Sequence, residues 1–515
     1  MQEVICIHVG QAGIQMSNAA WELFCIEHGI NANGLLKESL KDDDSTAFKT
    51  FFCEAPNGQF VPRALTVDLE PSVIDEIRVG SYRNLFHPKQ LLNVFDDGSN
   101  NFARAYFTVG KSFYLETLDV LRKITENCDG LQGFFLLHSH AGGTGSGFTS
   151  LILNKLSTEF AKTMKFQFSI FPSPVLCSAV VEPYNTTLAA QYDVEHSDIS
   201  TIISNEAVFN ICNNQLAVSR PTYSNINRVI SHGFSDLTVS LRFENSLTSN
   251  FAQMGVNLIP YPRIHFPLMS HAPLMSKLMA EHEKLSTDQI TRSVFDAKNQ
   301  LITCDVLNGL YMCCVLQFRG DVTPKDVNQA VFKLKRKSEI KFVDWCPTGF
   351  KLGINSQPKV TVPSSEMAQS PRSVTMISNT TGIKDPMEIV MKKFDTLLYK
   401  RSFVHWFVGE GMEEGEFNEA RDEMANLILD FMEIATTAND EEEENVENVE
   451  NTNKPFQDTH DEIEDLENQG NAIDEEEEEE NDSKVTDKEE NDESTLNEKE
   501  PEELSEFVEL NNDDE

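Results

Sequence analysis

The chain of 515 residues has no two cysteines at metal-binding spacing. Its ten cysteines are scattered, and only Cys313 and Cys314 are adjacent. That excludes a CxxC-type metal site and a dense disulfide framework, and it leaves the thiols reduced and mostly buried, as suits a reducing compartment. No apolar run is long enough to span a bilayer. Residues Met1–Gly10 lack a basic leader region and already read as a strand, so no signal peptide is expected. Positive charge is scarce: the net charge is −41. Of the 83 acidic residues, 35 lie in 440–515, together with only 4 of the 42 basic ones, so the preceding body is only mildly acidic. Such a balance argues against nucleic acid as a main partner and lets the acidic end attract basic ones.

The stretch that organises the rest is FFLLHSHAGGTGSGFTSLILNKL, Phe134–Leu156. Phe134–Leu137 reads as a buried strand, and an apolar helical pattern opens at Phe148. Between them lies GGTGSG, Gly142–Gly147. Strand, glycine-rich turn and helix N-terminus together suit a phosphate, because backbone N–H groups converge and the helix adds favourable partial charge. The segment has no Gly-Lys-Ser/Thr ending, so it is not a Walker-type P-loop. It can equally be a plain tight turn. A second such unit runs from Glu3–Val9 through Gly10-Gln11-Ala12-Gly13 into a helix ending near His28.

A strand at Ala64–Leu69 ends in Asp68-Leu69-Glu70-Pro71. Two carboxylates there can hold Mg²⁺ beside a phosphate loop, or they can be a solvated turn with a helix cap. The cluster DDGSNN, Asp96–Asn101, precedes a helix expected over Phe102–Cys128. Strands alternating with helices to about residue 205 predict an α/β fold with a doubly wound, mostly parallel sheet, its ligand over the carboxyl ends of the strands.

In this order, GQAG at Gly10, DLEP at Asp68, GGTGSG at Gly142, VVEPYN at Val180 and RPTYSNINR at Arg220 closely resemble tubulin motifs. So do PYPRIHFPL at Pro260, DVTPKDVN at Asp321, VDWCPTGFK at Val343 and FVHWFVGEGMEEGEFNEAR at Phe403. The resemblance covers nearly all of residues 1–439. Lys359–Ser373, Ala12, Glu70 and ELFCIEHGI at Glu22 resemble the alpha type. It implies a GTP-binding domain (1–222), a central helix (223–243), an α/β intermediate domain (244–380) and a C-terminal helical hairpin (381–439) where motors and associated proteins dock.

The resemblance also implies site residues. Gly10, Gln11, Ala12, Gln15, Asp97, Asn100, Ser139, Gly142, Gly143, Thr144 and Gly145 would face the phosphates of GTP. Glu70 and Asp68 would serve Mg²⁺. Ser178, Glu182, Asn205, Tyr223 and Asn227 would hold ribose and guanine, with Tyr223 stacking and the amides reading the base edge. Beta-tubulin would be the partner, in a heterodimer and a microtubule lattice, in a general array or a specialised one such as a cilium. The subunit's own GTP would be structural and not turned over. Retained features at the lateral loop, including His282, speak against simple capping.

Several positions depart from the family pattern. Ala141 stands where a glycine is usual, and a φ > 0 there would strain the loop. In ENSLTSNFAQ, Glu244–Gln253, the family has acids that help activate water on the neighbouring subunit. Here the matching positions are Asn245, Thr248, Asn250 and Gln253. An amide can orient water but cannot act as a base, which typically costs on the order of 10²–10⁴ in rate. The reading is a lattice subunit that activates its neighbour poorly; the alternatives are a conventional GTP-hydrolysing subunit and a module that caps or sequesters beta-tubulin. The loop Leu35–Ala47 differs from alpha's lumenal loop, and either Lys37 or Lys41 matches the acetylated lysine. The opening MQEV lacks the family's arginine, and Asp513–Glu515 lacks a terminal tyrosine. Residues 440–515, rich in Glu, Asp and Asn, are expected to be a disordered acidic brush.

Overall fold

The computed structural model describes residues 3–37, 47–173, 176–243, 251–306, 309–336, 340–346 and 349–452. The chain divides into two units, Met1–Asn448 and Val449–Glu515. Of the second, only 449–452 are described, as helix.

The first half alternates strand and helix. Strand β1 (Glu3–Val9) leads into α1 (Gly10–Glu27), and a small hairpin of β2 (Phe52–Glu54) and β3 (Phe60–Pro62) follows. Next come β4 (Ala64–Asp68), α2 (Pro71–Val79), β5 (Leu91–Asn93), α3 (Val109–Glu126) and β6 (Leu131–Ser139). Then α4 (Thr149–Glu159), β7 (Met164–Phe171), α5 (Glu182–His196), β8 (Ile199–Ser204) and α6 (Asn205–Asn214) complete it. Every residue of β1 and β8 is buried. Burial along the whole strand is what a parallel sheet covered on both faces gives. The strands β5-β4-β1-β6-β7-β8 are parallel neighbours, and the winding reverses between β1 and β6. The doubly wound expectation is met.

Helix α7 (Tyr223–Arg242) follows, then α8 (Phe251–Leu258), β9 (Leu268–Ala272), α9 (Lys277–His282), α10 (Thr287–Ser293) and β10 (Tyr311–Gly320). After α11 (Pro324–Arg336), β11 (Phe350–Asn355) and β12 (Arg372–Thr380), the described residues close with α12 (Lys384–Tyr399), α13 (Val404–Val408) and α14 (Gly415–Thr452). The four later strands extend the first sheet to ten: β9 joins β8 through the single pair Ile202↔Leu268, and β12, β10 and β11 follow outward. Nothing in the local sequence announces that junction.

Helix α7 is buried on nearly every side from Val229 to Arg242. It carries charge into the interior. Glu27 of α1 binds Arg242 and, from β10, Arg319, each at 2.7 Å. Arg319 also meets Asp236 of α7 at 2.9 Å, and Asp236 meets His271 of β9 at 3.2 Å. All five side chains are at most 2% exposed. Burial works to raise the Glu27 carboxyl, but the two guanidinium groups overcome it and hold it well below its usual range. This network ties α1, the central helix and the later strands together.

Two boundaries differ from the sequence reading. The glycine-rich segments are not loops ahead of their helices: α1 begins at Gly10, and a π-turn at Thr144–Phe148 runs directly into α4. A second π-turn, Arg104–Thr108, opens the helix expected at Phe102. Helix α14 also runs to Thr452, past the expected start of the tail at 440. No proline or glycine interrupts the sequence between Gly415 and Pro455, and glutamate is a good helix former. The rest of the acidic tail, from 453, lies outside the described residues. So do Lys41, Asn245, Thr248 and Asn250.

Candidate functional site

The carboxyl ends of β1, β4, β6, β7 and β8 open on one edge of the sheet, and the expected site residues come directly after them: Gly10 to Gln15, Asp68 and Glu70, Ser139 to Gly145, Ser178 and Glu182, and Asn205. Gly10 has φ +71°, a conformation costly for other residues, and lets α1 start directly at the strand end. A Cβ on Gly10 would lie 3.1 Å from the Gly145 nitrogen, and one on Gly145 would lie 2.4 Å from the Ser139 carbonyl oxygen. The two glycine-rich segments therefore touch backbone to backbone. Gly142 is different. A Cβ there would meet only the Asn100 side chain, at 4.0 Å. It faces open space between the segments.

The loop between β5 and the π-turn forms the third wall. Ser99 and Asn100 sit in the left-handed region, with φ of +47° and +52°. Asn185, fully buried on α5, binds this wall to the second one. Its amide donates to the Asn100 carbonyl at 2.8 Å and the Ala141 carbonyl at 2.9 Å, and its oxygen accepts from the Phe102 N–H at 3.1 Å. Sequence reasoning missed this residue, although it lies in VVEPYN, one turn beyond Glu182. Beneath the turn, the buried His138 ring bonds the Gly145 carbonyl at 2.8 Å. Burial pushes that imidazole down to about 4, so it is neutral.

The same loop is tied to the C-terminal helices. Asn101 donates to the Trp406 carbonyl at 3.0 Å. Arg104 bridges Asp96 and Glu410, at 2.5 and 2.9 Å, and its Nε donates to the Asp97 carbonyl at 2.8 Å. Thr108 donates to Glu410 at 2.6 Å. Neither α1 nor the π-turn that opens α4 has an acid in its first turn, so both N-termini keep their favourable partial charge for an anion.

Asp68 is buried, with the Thr144 hydroxyl bonded to it, and burial raises its carboxyl to about 7. Glu70 is exposed and accepts from the Ser72 hydroxyl at 2.7 Å. No set of three metal-binding side chains occurs among the described residues. One or two carboxylates beside a phosphate site still fit Mg²⁺, which keeps several waters and takes phosphate oxygens as ligands.

Farther along α1, Gln15, Tyr223 and Asn227 line one cavity of about 410 Å³ with Asn18, Tyr82 and Phe86. Tyr223 is 65% exposed, with its ring available for stacking. Glu182 instead holds its own loop, accepting from the Ser178 hydroxyl at 2.6 Å and from the Ser178 and Ala179 N–H groups. Ser139 is engaged in the turn, its hydroxyl accepting from the Ala141 N–H at 3.2 Å. Asn205 opens α6 and is not part of the cavity wall. Gln11 and Asp97 are exposed, and Ala12 is half-buried.

The Tubulin/FtsZ family GTPase domain matches residues 3–213, and the tubulin C-terminal domain matches residues 262–391. The tubulin alpha-2 chain of Caenorhabditis elegans is 50% identical over 440 residues, covering 85% of this chain and 98% of that one. The chain belongs to the tubulin family. It is alpha-tubulin-like, and the glycine-lined edge of the sheet falls within its tubulin GTPase domain.

The strain expected at Ala141 in this tubulin is absent. Ala141 is not among the residues with positive φ, so its Cβ meets no backbone penalty. An Ala141→Gly variant should keep its GTP affinity within about five-fold, because added chain freedom at one position costs about 0.4–1 kcal/mol. Competition with a fluorescent GTP analogue measures this.

The outward face of α8 is unlike the cradle. Gln253 is exposed, and its backbone carbonyl accepts from the Asn257 amide at 2.6 Å. Val256, on the same helix, is 83% exposed. Tyr261, just beyond the helix, and Trp345 are each about half exposed and pack edge to face at 5.9 Å.

Proposed function

We propose that this chain is an alpha-type microtubule subunit that binds GTP with Mg²⁺, pairs with beta-tubulin, and is a weak activator of GTP hydrolysis on the neighbouring subunit. The observation that carries the last part is Gln253, presented on the exposed face of α8 where the family has an acid. An amide orients a water molecule but cannot take its proton or supply negative charge.

The cradle supports the first part. Gly10, the open Gly142 and the converging helix N-termini offer N–H groups to phosphates, Asp68 and Glu70 offer carboxylates to the cation, and Tyr223, Asn227 and Gln15 line a base-sized cavity. Mg²⁺ would neutralise phosphate charge there. Glu182 is engaged by its own loop, so it is not free to serve as a general base. That agrees with a GTP kept as a structural cofactor. In this reading 1–222 bind nucleotide, 223–243 form the central helix, 244–380 the intermediate domain, and 381–439 the outer helices that receive motors and associated proteins.

The test is GTP turnover during co-assembly with beta-tubulin, comparing the native chain with an Asn250→Asp, Gln253→Glu double variant. The expected result is slow turnover for the native chain and an acceleration on the order of 10²-fold or more for the variant. Rapid turnover by the native chain would return it to a conventional tubulin. Failure of both forms to assemble would favour a capping or sequestering role.

A further inference from the structure

A chain of four buried side chains runs beneath the glycine-rich turn. His138, near the end of β6, has Nδ1 at 2.8 Å from the Gly145 carbonyl oxygen and Nε2 at 2.7 Å from the amide oxygen of Gln167 on β7. The Gln167 amide nitrogen lies 3.0 Å from Asp193 Oδ1 on α5, and Asp193 Oδ2 lies 2.7 Å from His140 Nε2. All four side chains are at most 1% exposed. Other titratable groups nearby are turned elsewhere. His265 meets the Asp193 backbone carbonyl at 3.1 Å, His196 meets Glu195 at 3.7 Å, and Lys165 meets Asp198 at 3.7 Å.

Three gaps in series separate the Gly145 carbonyl from the Asp193 carboxyl, and each needs one proton. The amide fills one, since it donates at one end and accepts at the other. A neutral imidazole fills one more, because it has a single N–H. With Asp193 ionised, two protons would serve three gaps, and two lone pairs would face each other at 3.0 Å or less in a buried interior. The chain therefore holds a third proton. Burial keeps the His138 ring neutral, which leaves Asp193 to carry it. Turning the Gln167 amide over then completes the series: Asp193 donates to its oxygen, its nitrogen donates to His138 Nε2, and His138 Nδ1 donates to Gly145. The two ends of an amide match in shape, so no heavy atom moves. Burial raises the Asp193 carboxyl, whereas a charged His140 would outweigh burial and hold it low. That charge is disfavoured: His140 Nδ1 is buried with no hydrogen-bond partner among the described residues, so an N–H there would have no acceptor.

We propose that Asp193 is an un-ionised carboxylic acid at neutral pH, and that it acts through Gln167 and His138 as a positioning group for the Gly145 carbonyl. That carbonyl shares one peptide plane with the Ser146 N–H, which closes the turn on the Gly142 carbonyl at 3.2 Å. Gly142 is the residue that faces the open space between the two glycine-rich segments. The chain thus reaches from α5 to the mouth of the cradle. The acid itself follows from the hydrogen-bond count; its effect on nucleotide rests on the reading of this turn as a phosphate cradle.

The experiment uses the full-length chain in its dimer with beta-tubulin. Infrared difference spectra at neutral pH compare the native dimer with Asp193→Asn. One carbonyl band of an un-ionised carboxylic acid, shifted in heavy water and absent from the variant, is expected. Carboxylate bands in its place would overturn the proposal. Asparagine offers the same donor to Gln167 and the same acceptor to His140, so Asp193→Asn should keep GTP affinity within about three-fold. Asp193→Ala should lower it by about ten-fold or more, because it leaves the Gln167 oxygen and the His140 N–H unmet. An Asp193→Asn chain that does not fold, or that binds GTP as poorly as Asp193→Ala, would overturn the proposal. Equal retention of GTP by both variants would overturn the positioning role. A native dimer with the acid band but no bound GTP would refute the nucleotide reading alone and uphold the acid.

Discussion

Asn185→Ala should empty the nucleotide site. The side chain makes three hydrogen bonds, to Asn100, Ala141 and Phe102, and together they join the backbone of one wall of the proposed phosphate cradle to that of another. Alanine leaves two carbonyls and one N–H without these partners. An unmet buried polar group costs about 1–3 kcal/mol, so the walls are expected to separate by loss of the order of several kcal/mol of mutual attachment. GTP affinity should fall by on the order of 10²-fold or more. Nucleotide content of the purified dimer after gel filtration, measured by chromatography, reads this directly. One GTP retained per alpha-type chain would show that Asn185 does not hold the walls.

The second large effect is on stability. Glu27→Gln leaves Arg242 and Arg319 buried with one carboxylate, Asp236, between them. Removing one partner from a buried ionic network typically costs about 3–5 kcal/mol. The unfolding midpoint should drop by roughly 5–10 °C. The effect has a pH signature. The folded carboxyl lies below its ordinary 4.5, so its stabilisation is complete above that value and is lost as pH falls through the folded range. The gap between native chain and variant should be full at pH 7 and narrow below about pH 4.5. A gap unchanged down to pH 3 would assign the loss to packing and not to charge.

Much of the nucleotide-binding half was legible because its signals are local. An apolar run, a glycine-rich turn and an amphipathic helix recur in order, and parallel strands bring the residues at their carboxyl ends to one edge. The resemblance supplied the rest; the structure brings Gly10, Gly145, Asp68 and Thr144 to one edge of the sheet and Tyr223 and Asn227 into one cavity. What escaped were contacts between distant segments. Asn185 looks like any polar residue in a helix until α5 is packed against two loops. The network of Glu27, Arg242, Arg319 and Asp236 joins positions far apart in the chain. The single pair that carries the sheet from β8 to β9 has no signature at all. At Ala141 the sequence could give only a condition, strain if φ is positive; the left-handed residues of the neighbouring loop are Ser99 and Asn100, and Ala141 is not left-handed.

The bonds from Asn101 to Trp406 and from Arg104 to Glu410 put the C-terminal helices in series with the loop proposed to face the phosphates. Trp406 is 63% exposed, so its segment is within reach of other molecules. Tension applied there passes through one hydrogen bond and one ion pair before it reaches residues 96–101. A cargo-bearing protein gripping this ridge would strain the nucleotide's enclosure, and a tightly held nucleotide would stiffen the ridge in return.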